Sequence, residues 1–219
     1  MSRISPGLIL IPLTRIILRS LTPVAVAGLI KRSLVANLKI PAFSGLLVVG
    51  SLTGSPVLAG EIRIFIDTEA DSLQVMNGDT VIKTYENIAI GRYGKTYFKV
   101  RNDNKTPLGK FRIGWKNKKT RYHRFLGLTY PDLPAADRAL VDGRIAESQW
   151  QAIRRASVAG EVPSQKTPLG GMIGIHGVGA GDMEVHRDFN WTNGCVALTN
   201  EEIDELLQWV KIGTPVEIR

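Results

Sequence analysis

Past residue 60 the apolar positions fall into short runs that partly alternate with polar ones. Residues 62–66 (IRIFI), 72–76 (SLQVM) and 80–86 (TVIKTYE) read as strands, with the hairpin dipeptide Asn77-Gly78 between the second and third. A β-meander therefore opens the chain's folded part. The run IAIG follows, then a polar loop, then Thr106-Pro107-Leu108-Gly109, a turn that feeds a further strand through Lys110, Phe111, Arg112 and Ile113. Between Pro134 and Ala159 the spacing of Ile145, Trp150, Ile153 and Ala156 is helical, which predicts one or two helices. A loop marked by Gly and Pro (162–171) leads to MIGIHG, a short buried strand ending at His176. A Gly-rich, charged loop then runs to Trp191, and CVAL reads as the next strand. Thr199 with Glu202 forms a capping box ahead of Ile203, Leu206, Leu207 and Val210, so a helix starts near residue 200 and ends near Gly213. Residues 215–218 return as a final strand. The expected class is mainly β, of mixed strands, with helices at the periphery.

Charge divides the chain. It holds 28 Lys and Arg against 20 Asp and Glu, a net +8, but six of the cations and none of the acids lie in residues 1–60. The remaining 22 cations against 20 acids are close to balance, so the basic pI of about 9.7 is no argument for nucleic acid as a partner. Lys39, the apolar run after it and the small-residue exit Val57-Leu58-Ala59 have the layout of a secretory signal. Cleavage is expected after Ala59, giving an N-terminal extension (1–59) and one catalytic domain (60–219). The rival is a retained anchor that keeps the N-terminus at the inner membrane. An upstream apolar stretch is interrupted by Arg15 and Arg19, which makes it a poor spanning helix.

An exported chain with one cysteine cannot form an internal disulfide, so Cys195 is either a small buried apolar side chain or a chemically active thiol. A thiol becomes a strong nucleophile when an imidazole within hydrogen-bond reach takes its proton. His176 closes one expected strand and Cys195 opens the next, so adjacent strands would bring them together. Gly194 lets the chain turn tightly, with backbone N–H groups near Cys195 available to an oxyanion. Three histidines and one cysteine lack the spacing of a zinc site, and GVGAG after His176 has no helix pattern behind it to bind phosphate. Neither a metal nor a cofactor is expected.

The segment His176-Gly177 through Trp191-Thr192-Asn193-Gly194-Cys195-Val196-Ala197-Leu198 resembles the signature of the L,D-transpeptidase (YkuD-type) family. Thr106-Pro107-Leu108-Gly109 resembles the family's TPxG turn, and the likeness spans roughly residues 61–219. Asn193 stands where many members have a second histidine, and Ala197 where many have an arginine; the WTxGC form looks like a Gram-negative branch. The resemblance implies a YkuD-like β-sandwich or barrel, a periplasmic location, and acyl transfer on peptidoglycan stem peptides through a Cys195 thioester. His176 is the implied base, while Thr192, Asn193, Gly194 and Gly177 shape the site. His123 and Tyr130 fall in a region resembling the family's cleft cover, as substrate contacts or as a surface and a packing residue respectively. His186 is a third candidate contact, or a solvated residue among Glu184, Arg187 and Asp188. Branch members include hydrolases, so an amidase or L,D-carboxypeptidase is the alternative, and a wall-binding module with an inert thiol is the alternative of another class.

Overall fold

The computed structural model describes residues 60–219; the expected signal segment and its cleavage point lie outside the described residues. Ten strands and four helices follow one another as β1 (Ile62–Asp67), β2 (Ser72–Asn77), β3 (Thr80–Glu86), β4 (Lys95–Thr96), β5 (Thr106–Pro107), β6 (Gly109–Thr120), β7 (His123–Leu128), α1 (Leu133–Val141), α2 (Glu147–Ala159), β8 (Gly174–Gly177), α3 (Met183–Asp188), β9 (Val196–Leu198), α4 (Asn200–Trp209) and β10 (Pro215–Ile218). Eight strands form one mixed sheet in the order β3-β2-β1-β10-β6-β7-β8-β9, and β4 pairs with β5. The class is the mainly β one that the alternation implied.

β6 holds the sheet together. Its first residues pair with β10, Gly109 opposite Ile218 and Arg112 opposite Pro215, while the rest pairs with β7. Irregularities at Ile113/Trp115 and Asn117/Thr120 bend this long hairpin, as extra residues in one strand do. The alternating apolar residues that marked the strands meet in one core: Ile64 and Ile66 from β1, Ile113 from β6, Leu126 and Leu128 from β7, and Ile175 from β8 are all essentially sealed from solvent. α4 covers β7 and β8 with Ile203 and Leu206, and its start is fixed by the Thr199/Glu202 box: Thr199 Oγ1 accepts from the Glu202 N–H at 3.2 Å, and Glu202 Oε2 accepts from the Thr199 N–H at 2.9 Å.

Two expectations change in detail, and a third, of one or two helices between Pro134 and Ala159, resolves to two. The helical stretch after Pro134 is two helices, α1 capped by Asp132, whose side chain accepts from the Ala135 N–H at 3.1 Å. α4 ends at Trp209, short of Gly213. The loop after GVGAG contains α3, which the sequence pattern did not reveal because only His186 of its six residues is buried, too few to show a period. The N-terminus of α3 still offers no phosphate cradle: Asp182 Oδ1 accepts from the Glu184 N–H at 2.7 Å, and Glu184 itself lies in the first turn, so carboxylates already occupy the positive end. Among the described residues no helix is long and apolar enough to cross a membrane.

Candidate active site

β8 and β9 run parallel as neighbours, with Ile175 opposite Val196 and His176 opposite Ala197. This pairing puts the end of MIGIH beside the start of CVAL. His176 and Cys195 open onto one cleft of about 530 Å³, walled also by Trp115, Tyr122, Phe125, Met172 and Trp191. Cys195 is partly exposed, whereas His176 is 2 % exposed.

The imidazole is fixed on every side. Its Nδ1 lies 2.7 Å from the carbonyl oxygen of Gly177; a carbonyl only accepts, so Nδ1 carries the proton and the neutral ring keeps a lone pair on Nε2. Tyr122 stacks on the ring at 4.3 Å and 25°, Phe125 lies nearly parallel at 6.2 Å, and Trp191 meets it edge-on at 5.7 Å. Gly177 is required by this packing, because a Cβ there would come within 2.6 Å of Asn200 Oδ1 and 3.0 Å of the Tyr122 carbonyl oxygen. Burial drives the His176 pKa down to about 4, and its hydrogen bond to Gly177 only partly opposes this.

The cysteine is held by its backbone. Gly194 adopts φ +121°, and a Cβ would press to 2.5 Å of the Lys105 carbonyl oxygen, so only glycine fits the turn before the thiol. Thr192 Oγ1 donates to the Cys195 carbonyl at 2.7 Å and accepts from the Gly194 N–H at 3.0 Å. Thr192 thus tightens the cysteine turn and does not orient the imidazole, and the Gly194 N–H is engaged rather than free for an oxyanion. The buried Thr106 hydroxyl accepts from the Gly91 N–H at 2.9 Å and lies 3.4 Å from the Cys195 carbonyl oxygen, which ties the TPLG turn to the same backbone. Residues 88–92 seal the outer edge of this segment: Ala89 and Ala197 exchange backbone bonds at 3.1 and 2.7 Å, and the Thr192 N–H donates to the Ile90 carbonyl at 3.1 Å.

The sulfur donates toward the Met172 carbonyl at 3.5 Å, and Met172 takes a left-handed φ of +56°. Burial pushes the Cys195 thiol up to about 11, while a backbone hydrogen bond from Gly174 and the Lys99 charge pull weakly the other way. Lys99 is a buried cation behind the turn, its Nζ donating to Asp103 Oδ1 at 2.6 Å and to the Lys105 carbonyl at 2.8 Å. The resting arrangement is therefore a neutral thiol and a neutral imidazole. Such a pair can act by general base catalysis, the proton leaving sulfur as sulfur attacks.

The other expected residues divide. Asn193 is exposed on the cleft wall, its Oδ1 accepting from Arg92 Nη2 at 2.6 Å. Its amide nitrogen therefore faces away from that guanidinium. His123 lies outside the cleft lining: Nε2 is 2.7 Å from Asp204 Oδ2 on α4, beside an Arg124–Asp204 pair. Tyr130 is buried in the core and its hydroxyl donates to the Leu169 carbonyl at 2.9 Å. His186 is not the solvated residue its charged neighbours implied. It is 4 % exposed on α3, and its Nδ1 accepts from Trp191 Nε1 at 3.3 Å, so it braces the tryptophan that braces His176. The residues to which the sequence assigned no part in the site are Tyr122, Phe125, Arg92 and Lys99, and it gave Thr106 only as a member of the TPLG turn. Only Tyr122, next to His123 in the aromatic basic segment, and Thr106, inside the TPLG turn, carried any signal.

A search of curated proteins found no match. Among solved structures the chain is similar to Bd1075 of Bdellovibrio bacteriovorus (20 % identity, 74 % of this chain and 48 % of that one, TM-score 0.46). It is similar also to the helical cell shape determining protein Pgp2 of Campylobacter jejuni (21 %, 73 % and 47 %, TM-score 0.48). A third is an L,D-transpeptidase of Enterococcus faecium (12 %, 74 % and 50 %, TM-score 0.44). The chain spans about half the length of these proteins. The family model described as the L,D-transpeptidase catalytic domain, YkuD, matches residues 61–218. That match runs from the start of β1 to the end of β10, and on it the chain belongs to the YkuD family of L,D-transpeptidase catalytic domains.

Proposed function

We propose that the protein is an exported, periplasmic L,D-transpeptidase that acts on peptidoglycan stem peptides, with Cys195 as nucleophile and His176 as base. The observation that carries the reading is the shared cleft: a cysteine that lines it and a neutral imidazole whose unprotonated Nε2 is its basic atom, in a chain of this family. In the first step the Sγ–H proton passes to Nε2 as sulfur bonds to the carbonyl carbon after the L-centre of the third stem residue. Collapse of the tetrahedral oxyanion breaks the amide bond, and the imidazolium returns the proton to the leaving D-amino acid. The thioester then passes its acyl group to an amine, which gives a crosslink or exchanges the terminal residue.

Incubation of the exported form with purified sacculi, followed by mass spectrometry of the muropeptides, tests this. New crosslinked dimers or exchanged termini that vanish in Cys195→Ala are the expected outcome. Shortened stems without dimers would make water the acceptor and the protein a hydrolase. An unchanged profile, together with a folded protein whose thiol no carbapenem acylates, would leave a wall-binding module.

A further inference from the structure

The cleft that holds Cys195 has an uneven charge. Its lining includes two cations, Arg92 and Arg121, and no carboxylate. Neither guanidinium has an acidic partner among the described residues, where the ion pairs involve Arg63, Lys83, Lys95, Lys99, Lys110, His123, Arg124 and Arg144. Lys99, the other cation close to the nucleophile, is neutralised by Asp103 and sealed from solvent. Arg92 and Arg121 differ in placement. The Arg121 guanidinium lies over the Tyr122 ring, 4.6 Å from its centroid, which spends its face on an aromatic. Arg92 lies against the nucleophile's own turn: its backbone N–H donates to the Thr192 carbonyl at 3.0 Å, and Nη2 donates to Asn193 Oδ1 at 2.6 Å and, more weakly, to the Trp191 carbonyl at 3.4 Å.

Those two acceptors engage a single nitrogen. The guanidinium has five N–H donors in a planar fork, so its other nitrogens remain available, and the fork matches a carboxylate in a bidentate grip. Asn193 contributes as an uncharged acceptor that steadies the side chain without cancelling its charge. A histidine at 193 would not serve this way once protonated, which gives the Asn193 departure from the family motif a physical purpose.

We infer that Arg92, steadied by Asn193, is a specificity-determining residue that reads a free carboxylate on the acyl donor beside the scissile bond, namely that of the terminal D-amino acid that leaves. The inference rests on the proposed function. The test compares two soluble tetrapeptide donors that differ only in that terminus, a free carboxylate against a carboxamide, with the native protein and with Arg92→Ala, Asn193→Ala and Arg121→Ala. The native protein should favour the free acid by about tenfold or more in kcat/KM, as a charged hydrogen bond implies. Arg92→Ala should turn over both donors at the rate the native protein gives the amide. Asn193→Ala should lose part of the preference, and Arg121→Ala should keep it. The inference is overturned if Arg92→Ala slows both donors equally, if it retains the preference, or if Arg121→Ala is the variant that erases it. If the native protein turns over neither donor, the proposed function fails instead, and the two failures are thus separate.

Discussion

The protonation state of the resting site makes a sharp prediction about thiol reactivity. The perturbation is pH, and the probe is a small alkylating agent that reacts only with thiolate. With the Cys195 thiol held near 11, the ionised fraction at pH 7 is roughly one part in ten thousand, against about 3 % for an unburied cysteine near 8.5. Alkylation of the folded protein at pH 7 should then run about 300-fold slower than that of a cysteine peptide. The rate should rise about tenfold per pH unit up to pH 10, because each unit multiplies the thiolate by ten. His176→Ala should leave this slope in place, since the native imidazole, driven down to about 4, holds no second proton over that range. The assay is mass spectrometry of the alkylated protein under first-order conditions, with circular dichroism at each pH to show that the fold persists. A flat, fast plateau between about pH 5 and 8.5 that disappears in His176→Ala would refute the reasoning, because it is the signature of a thiolate–imidazolium pair. Carbapenem acylation should nevertheless proceed near neutral pH, since there the proton moves to Nε2 during attack and no standing thiolate is needed.

Other consequences can be measured on stability. The folded pKa of His176 lies below its unfolded value of 6.5, so above that value the histidine costs nothing; as pH falls from 6.5 towards 4 the unfolded chain binds a proton the native state refuses. Native stability should drop by about 3 kcal/mol over that window, a drop that His186, also lowered by burial, deepens; urea titrations at pH 7 and 4.5 should show the drop shrinking in His176→Gln. Thr192→Val keeps the shape but strands the Gly194 N–H and leaves the Cys195 carbonyl only its longer contact to Thr106, so it should cost about 1–3 kcal/mol and lower kcat while the His176 ring contacts persist in a structure of the variant. Tyr130→Phe removes one buried hydrogen bond to Leu169 and should cost about 1 kcal/mol with kcat and KM unchanged; a raised KM would return Tyr130 to the substrate.

What was legible in the sequence was what short range decides. The strands of the β1–β3 meander follow from period-two alternation around Asn77-Gly78, and the start of α4 follows from a box four residues long. The neighbouring of His176 and Cys195 was legible because they stand at the end of one expected strand and the start of the next, and β8 and β9 prove to be adjacent although α3 lies between them in the chain. The contacts that complete the cleft are of another kind. Arg92 reaches Asn193 across 101 positions and Thr106 reaches Cys195 across 89, separations at which neither spacing nor composition carries a signal. The choice between Tyr122 and His123 shows the finer limit. The hairpin slips register between Asn117 and Thr120, and His123 takes a left-handed φ of +67°. Tyr122 lies in the turn just before β7 and stacks on His176, while His123, the first residue of β7, meets Asp204 instead, a division that strand alternation does not predict.

The two motif glycines and the motif threonines serve one purpose, to position backbone. Gly177 brings its own carbonyl to Nδ1 in a space where no Cβ fits; Gly194 bends the chain ahead of the thiol; Thr192 and Thr106 hold the Cys195 carbonyl from two directions. None of these side chains supplies a proton or a charge to the cleft. A signature of this type therefore records the mould of a site, and a protein can match it while differing in what it binds and in which acceptor takes its acyl group. The charge inside the cleft comes from residues that the signature does not contain, and Arg92 and Arg121 are its described sources. Two chains sharing the mould but differing at those positions should differ in donor preference and share the pH dependence of their thiol, because only the buried frame sets the latter.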